Sequence, residues 1–283
     1  MTIPFRTLND GVRIPMLGFG TWQLTEDRVP EVLGHAIDAG YRHFDTAHAY
    51  LNERAIGAYL AGCNLPRDEV FVTSKLWNNR HGFDAALRAF DGTMERLGLE
   101  VLDLYLIHWP VPMENLYVES WKAMVRLRAE GRIRSIGVSN FEQEHLQRLL
   151  DETGTAPSVN QIELHPRFAQ VAARNHHAQM GIAIESWSPL GQGNMMQDAV
   201  LTRIAEKHAK SPAQVMLRWH LDQDLIVIPR SKTPANIRAN VDVFDFVLDS
   251  ADMAAIASLD AGPGGRIGPK PWELGAVDLP GSV

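Results

Sequence analysis

Hydrophobic positions along the chain switch repeatedly between runs that suit strands and stripes that suit helices. Phe5-Arg-Thr-Leu8 and Val12-Arg-Ile-Pro15 flank Asn9-Asp10-Gly11, whose Asp-Gly step predicts a β-hairpin. Residues 16–22 read as a buried strand and 26–39 as a helix closed by Gly40. A strand through Phe44 ends at Asp45, and Asn52 and Glu53 open a helix over 52–60. After a strand at 70–75, Phe83, Leu87, Phe90, Met94 and Leu97 recur at helical spacing until Gly98. Strands at 102–107, 133–138, 159–164 and 182–187 then alternate with helices through Trp121, through Leu146 and over 169–180. Helices at 199–208 and 212–221, a strand at 225–228, helices at 234–241 and 249–259, and a Gly/Pro-rich loop at 261–271 complete the pattern.

Strands that alternate with helices imply a parallel sheet. About eight such units in 283 residues fit a closed barrel better than an open doubly wound sheet. The expected architecture is α/β, a (β/α)8 TIM barrel with an N-terminal β-hairpin across its bottom and a C-terminal helix and loop. No linker divides the chain, so one domain over residues 1–283 is expected.

Composition narrows the function classes. Hydrophobic residues make up 45% and charged ones 22%, as in ordinary globular proteins. A net charge of -7 argues against a nucleic-acid partner. Cys63 is the single cysteine, so neither an intrachain disulfide nor a thiolate metal cluster is expected. The N-terminus lacks a signal pattern and no apolar run approaches membrane-spanning length, so a cytoplasmic protein with no membrane association is expected; a monomer is the expected state.

The unusual polar residues gather where strands end: Asp45 with Tyr50 close behind, Lys75, His108-Trp109, Ser139-Asn140, Gln161, Trp187-Ser188 and Arg230-Ser231-Lys232. Taken singly each is ordinary: Lys75 a solvated lysine, His108 a packing histidine, Asp45 a helix cap. Taken together they converge on the C-terminal face of a barrel, where barrel enzymes place their chemistry. A Lys75 ammonium paired with Asp45 and touching the Tyr50 oxygen would stabilise the phenolate, lower the Tyr50 pKa and make it a general acid. A neutral His108 would orient the same substrate oxygen, and Trp22, Trp77 and Trp109 would wall off water. No activated nucleophile accompanies this set, and His176-His177 lacks metal-ligand spacing, so no metal is expected. A site that stabilises an alkoxide without a nucleophile suggests hydride delivery to a carbonyl, which needs a cofactor.

Neither Gly18-Phe-Gly20 nor Gly191-Gln-Gly193 completes a Rossmann fingerprint. The phosphate candidate is later: Arg230, Ser231, Lys232 and Thr233 follow a strand and precede a helix that starts at Pro234.

Several stretches, in order, resemble the aldo-keto reductase superfamily over residues 8–269: Gly40-Tyr-Arg-His-Phe-Asp-Thr-Ala-His-Ala-Tyr50, Thr73-Ser-Lys-Leu-Trp77, Asp103-Leu-Tyr-Leu-Ile-His-Trp-Pro110, Ile136-Gly-Val-Ser-Asn-Phe141, Asn160-Gln-Ile-Glu-Leu-His-Pro166 and Ile228-Pro-Arg-Ser231. The resemblance implies NADPH extended across the barrel mouth and a catalytic tetrad of Asp45, Tyr50, Lys75 and His108. It implies Ser139, Asn140 and Gln161 on the nicotinamide carboxamide, Trp187 stacked on the ring, and Ser188, Leu190 and Gln192 along the pyrophosphate. Thr21, Trp22 and Asp45 would also meet the cofactor. Arg230, Ser231, Lys232, Thr233 and Arg238 would serve the 2′-phosphate, with Asn240 near the adenine. Trp187 replaces the usual tyrosine, as in bacterial members resembling 2,5-diketo-D-gluconate reductase. Asn236 stands where an arginine is usual and Arg230 where a lysine is common, which admits NADH as a second cofactor. Trp22, Tyr50, Trp77, His108 and Trp109, with Trp272 as a further candidate, would touch a small carbonyl substrate. Small aldehydes, methylglyoxal, α-keto esters and keto-sugar acids are all admissible. The competing readings are a cofactor-sensing regulatory barrel with little turnover, and an isomerase or aldolase using Lys75 as a Schiff base.

Overall fold

A computed structural model of the protein describes residues 2–276, so the end of the predicted domain, 277–283, lies outside the described residues. β1 (Phe5–Thr7) and β2 (Arg13–Pro15) form the antiparallel hairpin, with Phe5 opposite Pro15 and Gly11 at φ +86° in the turn. Asn9 donates to the Pro157 carbonyl at 2.9 Å and Asp10 accepts from Ser135 at 2.7 Å, both near where strands enter the sheet. The hairpin therefore closes the bottom, as expected.

Eight parallel strands follow, each beside its predecessor: β3 (Phe19–Gly20), β4 (His43–Asp45), β5 (Phe71–Leu76), β6 (Leu102–Ile107), β7 (Ile133–Ser139), β8 (Val159–Glu163), β9 (Ala183–Trp187) and β10 (Ile226–Val227). A parallel bridge between Leu17 and Val227 joins the last strand to the first. Across it the Gly18 amide donates to the Val227 carbonyl at 2.8 Å and the Val227 amide to the Met16 carbonyl at 2.9 Å. The sheet is a closed barrel. β3 and β10 are shorter than their apolar runs, and bonds of residues 16–20 with Val227 and Pro229 carry the seam beyond them.

The helices are α1 (Val29–Asp38), α2 (Glu53–Gly62), α3 (Phe83–Leu97), α4 (Tyr117–Ala129), α5 (Gln143–Thr153), α6 (Val171–Met180), α7 (Ala199–His208), α8 (Pro212–Leu221), α9 (Pro234–Val241) and α10 (Ser250–Ala257). Local chemistry sets their ends. Gly98 stops α3 at φ +64°, and Ser211 and Gln214 cap α8 reciprocally behind Pro212. Two starts differ from the periodicity. Residues 26–28 form a 3-10 turn before α1, and α6 begins at Val171 because Gln170 turns left-handed at φ +47°.

Strand period two sorts the side chains. One set of alternate positions, including Val72, Leu76, Tyr105, Ile107, Ile136 and Val138, belongs to the large apolar cluster that also contains the helix faces of α1 to α5. The other set begins apolar, where Phe71, Leu104, Leu106, Val159, Ala183 and Ile226 cluster with Leu8 and Ile14 of the hairpin. Two residues further along those strands it becomes polar: Thr73 and Lys75, Gln161, and Glu185, all buried. A buried polar storey thus rests on an apolar floor.

Gly137 is where β7 passes closest to its neighbours: a Cβ there would lie 2.6 Å from the Val159 carbonyl oxygen and 2.7 Å from a Leu106 methyl. Gly137→Ala should lower stability by about 1–3 kcal/mol. Urea unfolding should show a lower midpoint with an unchanged slope; an unchanged midpoint would contradict the close packing.

Candidate active site

The site is built at or near the C-terminal ends of β4 to β9. Lys75 and Asp45 are buried, and the Lys75 Nζ donates to Asp45 Oδ1 at 2.6 Å, to the Thr46 carbonyl at 2.9 Å and to the Tyr50 hydroxyl at 3.2 Å. Tyr50 ends a 3-10 turn, His48–Tyr50, whose exit requires Leu51 at φ +55°. His108 stacks edge-on against both Tyr50 and Trp77, with ring centroids 5.8 and 5.2 Å apart. Asp45, Tyr50, Lys75 and His108 are thus brought together from three separate stretches of the chain.

Electrostatics follow from burial. For Lys75 burial alone would favour the neutral amine, but Asp45 and the Tyr50 oxygen outweigh it and the pKa is raised. A held ammonium is a poor nucleophile, which counts against the Schiff-base reading. Burial and then the Lys75 charge push His108 well below the usual imidazole value, so its ring is neutral. Tyr50 corrects the expectation from sequence. Burial raises its pKa by more than Lys75 lowers it, so the resting phenol stands above its ordinary value.

The remaining predicted residues fall into three groups. Near the tetrad, Gln161 Nε2 donates to Asp45 Oδ2 at 2.8 Å. The Ser139 hydroxyl donates to the Gln161 carbonyl at 2.9 Å. Asn140, at φ +63°, donates to the His108 carbonyl at 3.1 Å and to Ser139 Oγ at 3.0 Å, and its Oδ1 accepts from Trp187 Nε1 at 2.8 Å. The indole N–H therefore anchors the ring in a way that a tyrosine at this position could not reproduce with the same atom. Thr21 is buried and its hydroxyl donates to the Asp45 carbonyl at 2.9 Å, so it braces β4.

Along the rim, Ser188 and Gln192 adopt left-handed backbone, with Leu190 partly buried between them. Further out, Arg230, Lys232 and Thr233 are exposed and Ser231 partly so, with the Arg230 guanidinium 5.8 Å from the Trp22 ring centroid. Thr233 does not cap α9 with its side chain, which leaves the first-turn amides free of that bond. Arg238 is exposed on α9, whereas Asn240 is buried. Trp109 is nearly buried, while Trp22 and Trp272 are about half exposed.

Sequence reasoning missed four residues that hold these groups in place. Asn52 precedes α2 as a helix opener would, but its side chain makes no cap. Instead it accepts from Thr46 at 2.6 Å and donates to the Thr21 and Leu24 carbonyls at 3.0 and 2.9 Å, tying the Tyr50 turn to β3. Glu53 is buried against Ser74 and Arg96, fixing α2 to β5. Glu185 accepts from Gln161 at 2.6 Å inside the barrel. Glu163 accepts from the Ile267 and Gly268 amides at 2.7 and 2.9 Å, drawing the C-terminal loop over Trp187. Burial opposes ionisation of Glu163, but His165 and the two amides more than offset it and the pKa is lowered. A carboxylate at the end of a strand, as Glu163 is, was the one available signal.

Known proteins resemble this chain over nearly its whole length. A family model described as aldo/keto reductase family matches residues 16–261. An aldo-keto reductase from Mycolicibacterium smegmatis is 53% identical over 268 residues, covering 95% of this chain and 97% of the relative. Methylglyoxal reductase DkgA from Escherichia coli is 47% identical, with 95% and 97% covered. A crystal structure of a Gox0644 mutant in complex with NADPH superposes with a TM-score of 0.92 at 48% identity, covering 96% of this chain and 98% of that one.

A Cβ on Gly268 would lie 2.4 Å from the Trp187 ring and 3.1 Å from Glu163 Oε2. Gly268→Ala should therefore displace either the loop or the indole, at a cost of about 1–3 kcal/mol. Near-ultraviolet circular dichroism should change in the tryptophan bands; an unaltered spectrum and melting temperature would refute the contact.

Proposed function

This chain belongs to the aldo/keto reductase family, and from that membership we propose that it reduces a small aldehyde or ketone with Tyr50 as the proton donor. The observation that carries the reading is the buried Lys75 ammonium shared between Asp45 at 2.6 Å and the Tyr50 hydroxyl at 3.2 Å.

A carbonyl oxygen placed between Tyr50 and His108 meets two groups suited to it. His108 is neutral, so it can donate one hydrogen bond without adding a charge. NADPH, as in the Gox0644 complex, would supply the hydride to the carbonyl carbon. Negative charge then grows on the oxygen, which becomes more basic than a phenolate, and the Tyr50 proton moves to it. The raised resting pKa keeps Tyr50 protonated through neutral pH. Lys75 stabilises the phenolate left behind, and Asp45 keeps that ammonium charged and aimed. Trp77, packed on His108, excludes water from the oxygen.

The residues fit the cofactor. The Trp187 ring is fixed by Asn140 and offers a flat apolar face for a nicotinamide. Exposed Arg230 and Lys232, with Ser231 and Thr233 before the N-terminus of α9, suit a 2′-phosphate. The residues at the mouth and the likeness to methylglyoxal reductase DkgA favour small aldehydes and dicarbonyls as substrates.

Turnover of NADPH with a panel of aldehydes, dicarbonyls and keto-sugars tests the reading. Tyr50→Phe should reduce kcat by about two orders of magnitude or more while leaving NADPH binding intact. Turnover that survives the substitution would disqualify Tyr50 as the donor. Tight NADPH binding by the wild type without oxidation by any carbonyl would favour a sensing barrel. Replacing Arg230 and Lys232 together by alanine should weaken NADPH by about tenfold or more and leave NADH nearly unchanged. Equal losses for the two nucleotides would place the 2′-phosphate elsewhere.

A further inference from the structure

Glu185 lies beneath the tetrad and takes no part in the chemistry proposed above. Its side chain is fully buried on β9. Every polar group facing it comes from another strand of the barrel. From β8, Gln161 Nε2 donates to its Oε2 at 2.6 Å. From β4, His43 Nε2 stands 3.5 Å from its Oε1, and Asp45 is tied to the same Gln161 amide at 2.8 Å. From β5 come Thr73, whose hydroxyl is 3.1 Å from His43 Nε2, and Lys75. The neighbouring β10 contributes apolar Ile226, paired with Glu185 in register.

Both hydrogens of the Gln161 amide are therefore taken by carboxyl groups, one on each side, and its oxygen is left over. Charge must also balance in so buried a storey. Lys75 carries one positive charge and Asp45 one negative; burial holds His43 neutral, with its pKa lowered to about 3. Burial first and Asp45 second raise Glu185 to about 8, so at neutral pH it is an uncharged acid and the cluster sums to zero.

We propose that Glu185 is a positioning residue that acts through Gln161, clamping the amide between two carboxyl groups so that Asp45 stays aimed at Lys75 and the Gln161 oxygen stays free to accept from a bound carboxamide. The clamp stands on geometry alone; its effect on turnover rests on the reductase reading. Ionised Glu185 would place a second negative charge beneath Tyr50 and oppose the phenolate that proton donation leaves behind.

Two readouts separate the clamp from the reaction. In cofactor-free protein, the side-chain amide resonances of Gln161 should shift with a midpoint near pH 8 in the wild type and stay flat in Glu185→Gln. Stability should follow the same group. A carboxyl whose folded pKa is raised contributes fully below its ordinary 4.5 and loses that contribution as pH rises toward about 8. The wild type should therefore lose stability over that window, and Glu185→Gln should lose less. In turnover, kcat for carbonyl reduction should fall above pH 8 in the wild type, and Glu185→Gln should lack that fall while retaining at least half of kcat at pH 7. A Gln161 amide that does not titrate, or does so equally in Glu185→Gln, overturns the clamp even if no carbonyl is ever turned over. An unchanged alkaline limb in Glu185→Gln, with the amide titration abolished, overturns the link to catalysis and leaves the reductase reading standing.

Discussion

The Lys75–Asp45 pair, 2.6 Å apart and buried between two strand ends, is the interaction on which the rest of the site depends. Two charges removed from water are tolerated only when each is fully hydrogen-bonded, and removing one partner of such a pair typically costs about 3–5 kcal/mol. Here Nζ spends its three donors on Asp45, the Thr46 carbonyl and Tyr50, while Asp45 receives Gln161 on its other oxygen. The arrangement is saturated, so each group is held in one place. That same saturation puts the phenol of Tyr50 beside a permanent cation.

The barrel makes this storey possible by shielding it from bulk water while its polar groups satisfy one another. Below, Phe71, Leu104, Leu106, Val159, Ala183 and Ile226 fill the interior against the hairpin. Above, Tyr50 and Trp77 each pack edge to face against His108. Between them the polar residues must satisfy one another, and they do so across strands: Asp45 to Gln161, Gln161 to Glu185, and His43 to Thr73. Low local dielectric strengthens these bonds and explains why His108 stays neutral and why the phenol of Tyr50 does not lose its proton early.

Trp187 shows how an aromatic ring at a strand end is fixed by its neighbours. Its indole N–H binds Asn140, which in turn holds the His108 carbonyl and Ser139. The indole, the imidazole strand end and the amide loop are thereby mechanically one unit. Glu163 adds the C-terminal loop to it from the other side.

The alternation of apolar runs and helical stripes was enough to establish eight strands, their order and the face on which Asp45, Lys75, His108 and Gln161 would meet, because period two and period 3.6 are local properties of the chain. Capping residues such as Gly98, Ser211 and Pro212 set helix ends for the same reason. The direction of the Tyr50 pKa was not local: it is a contest between burial and Lys75, and only the folded surroundings decide it. Asn52 read as a cap because caps are local, yet its partners are Thr21, Leu24 and Thr46, two of them on a different strand–loop unit. Glu185, Glu53 and Glu163 look like any strand or helix carboxylate in the sequence. Their roles come from atoms that are tens of residues away along the chain and under 3 Å away in space, distances that only the packing of strands, helices and loops against one another creates.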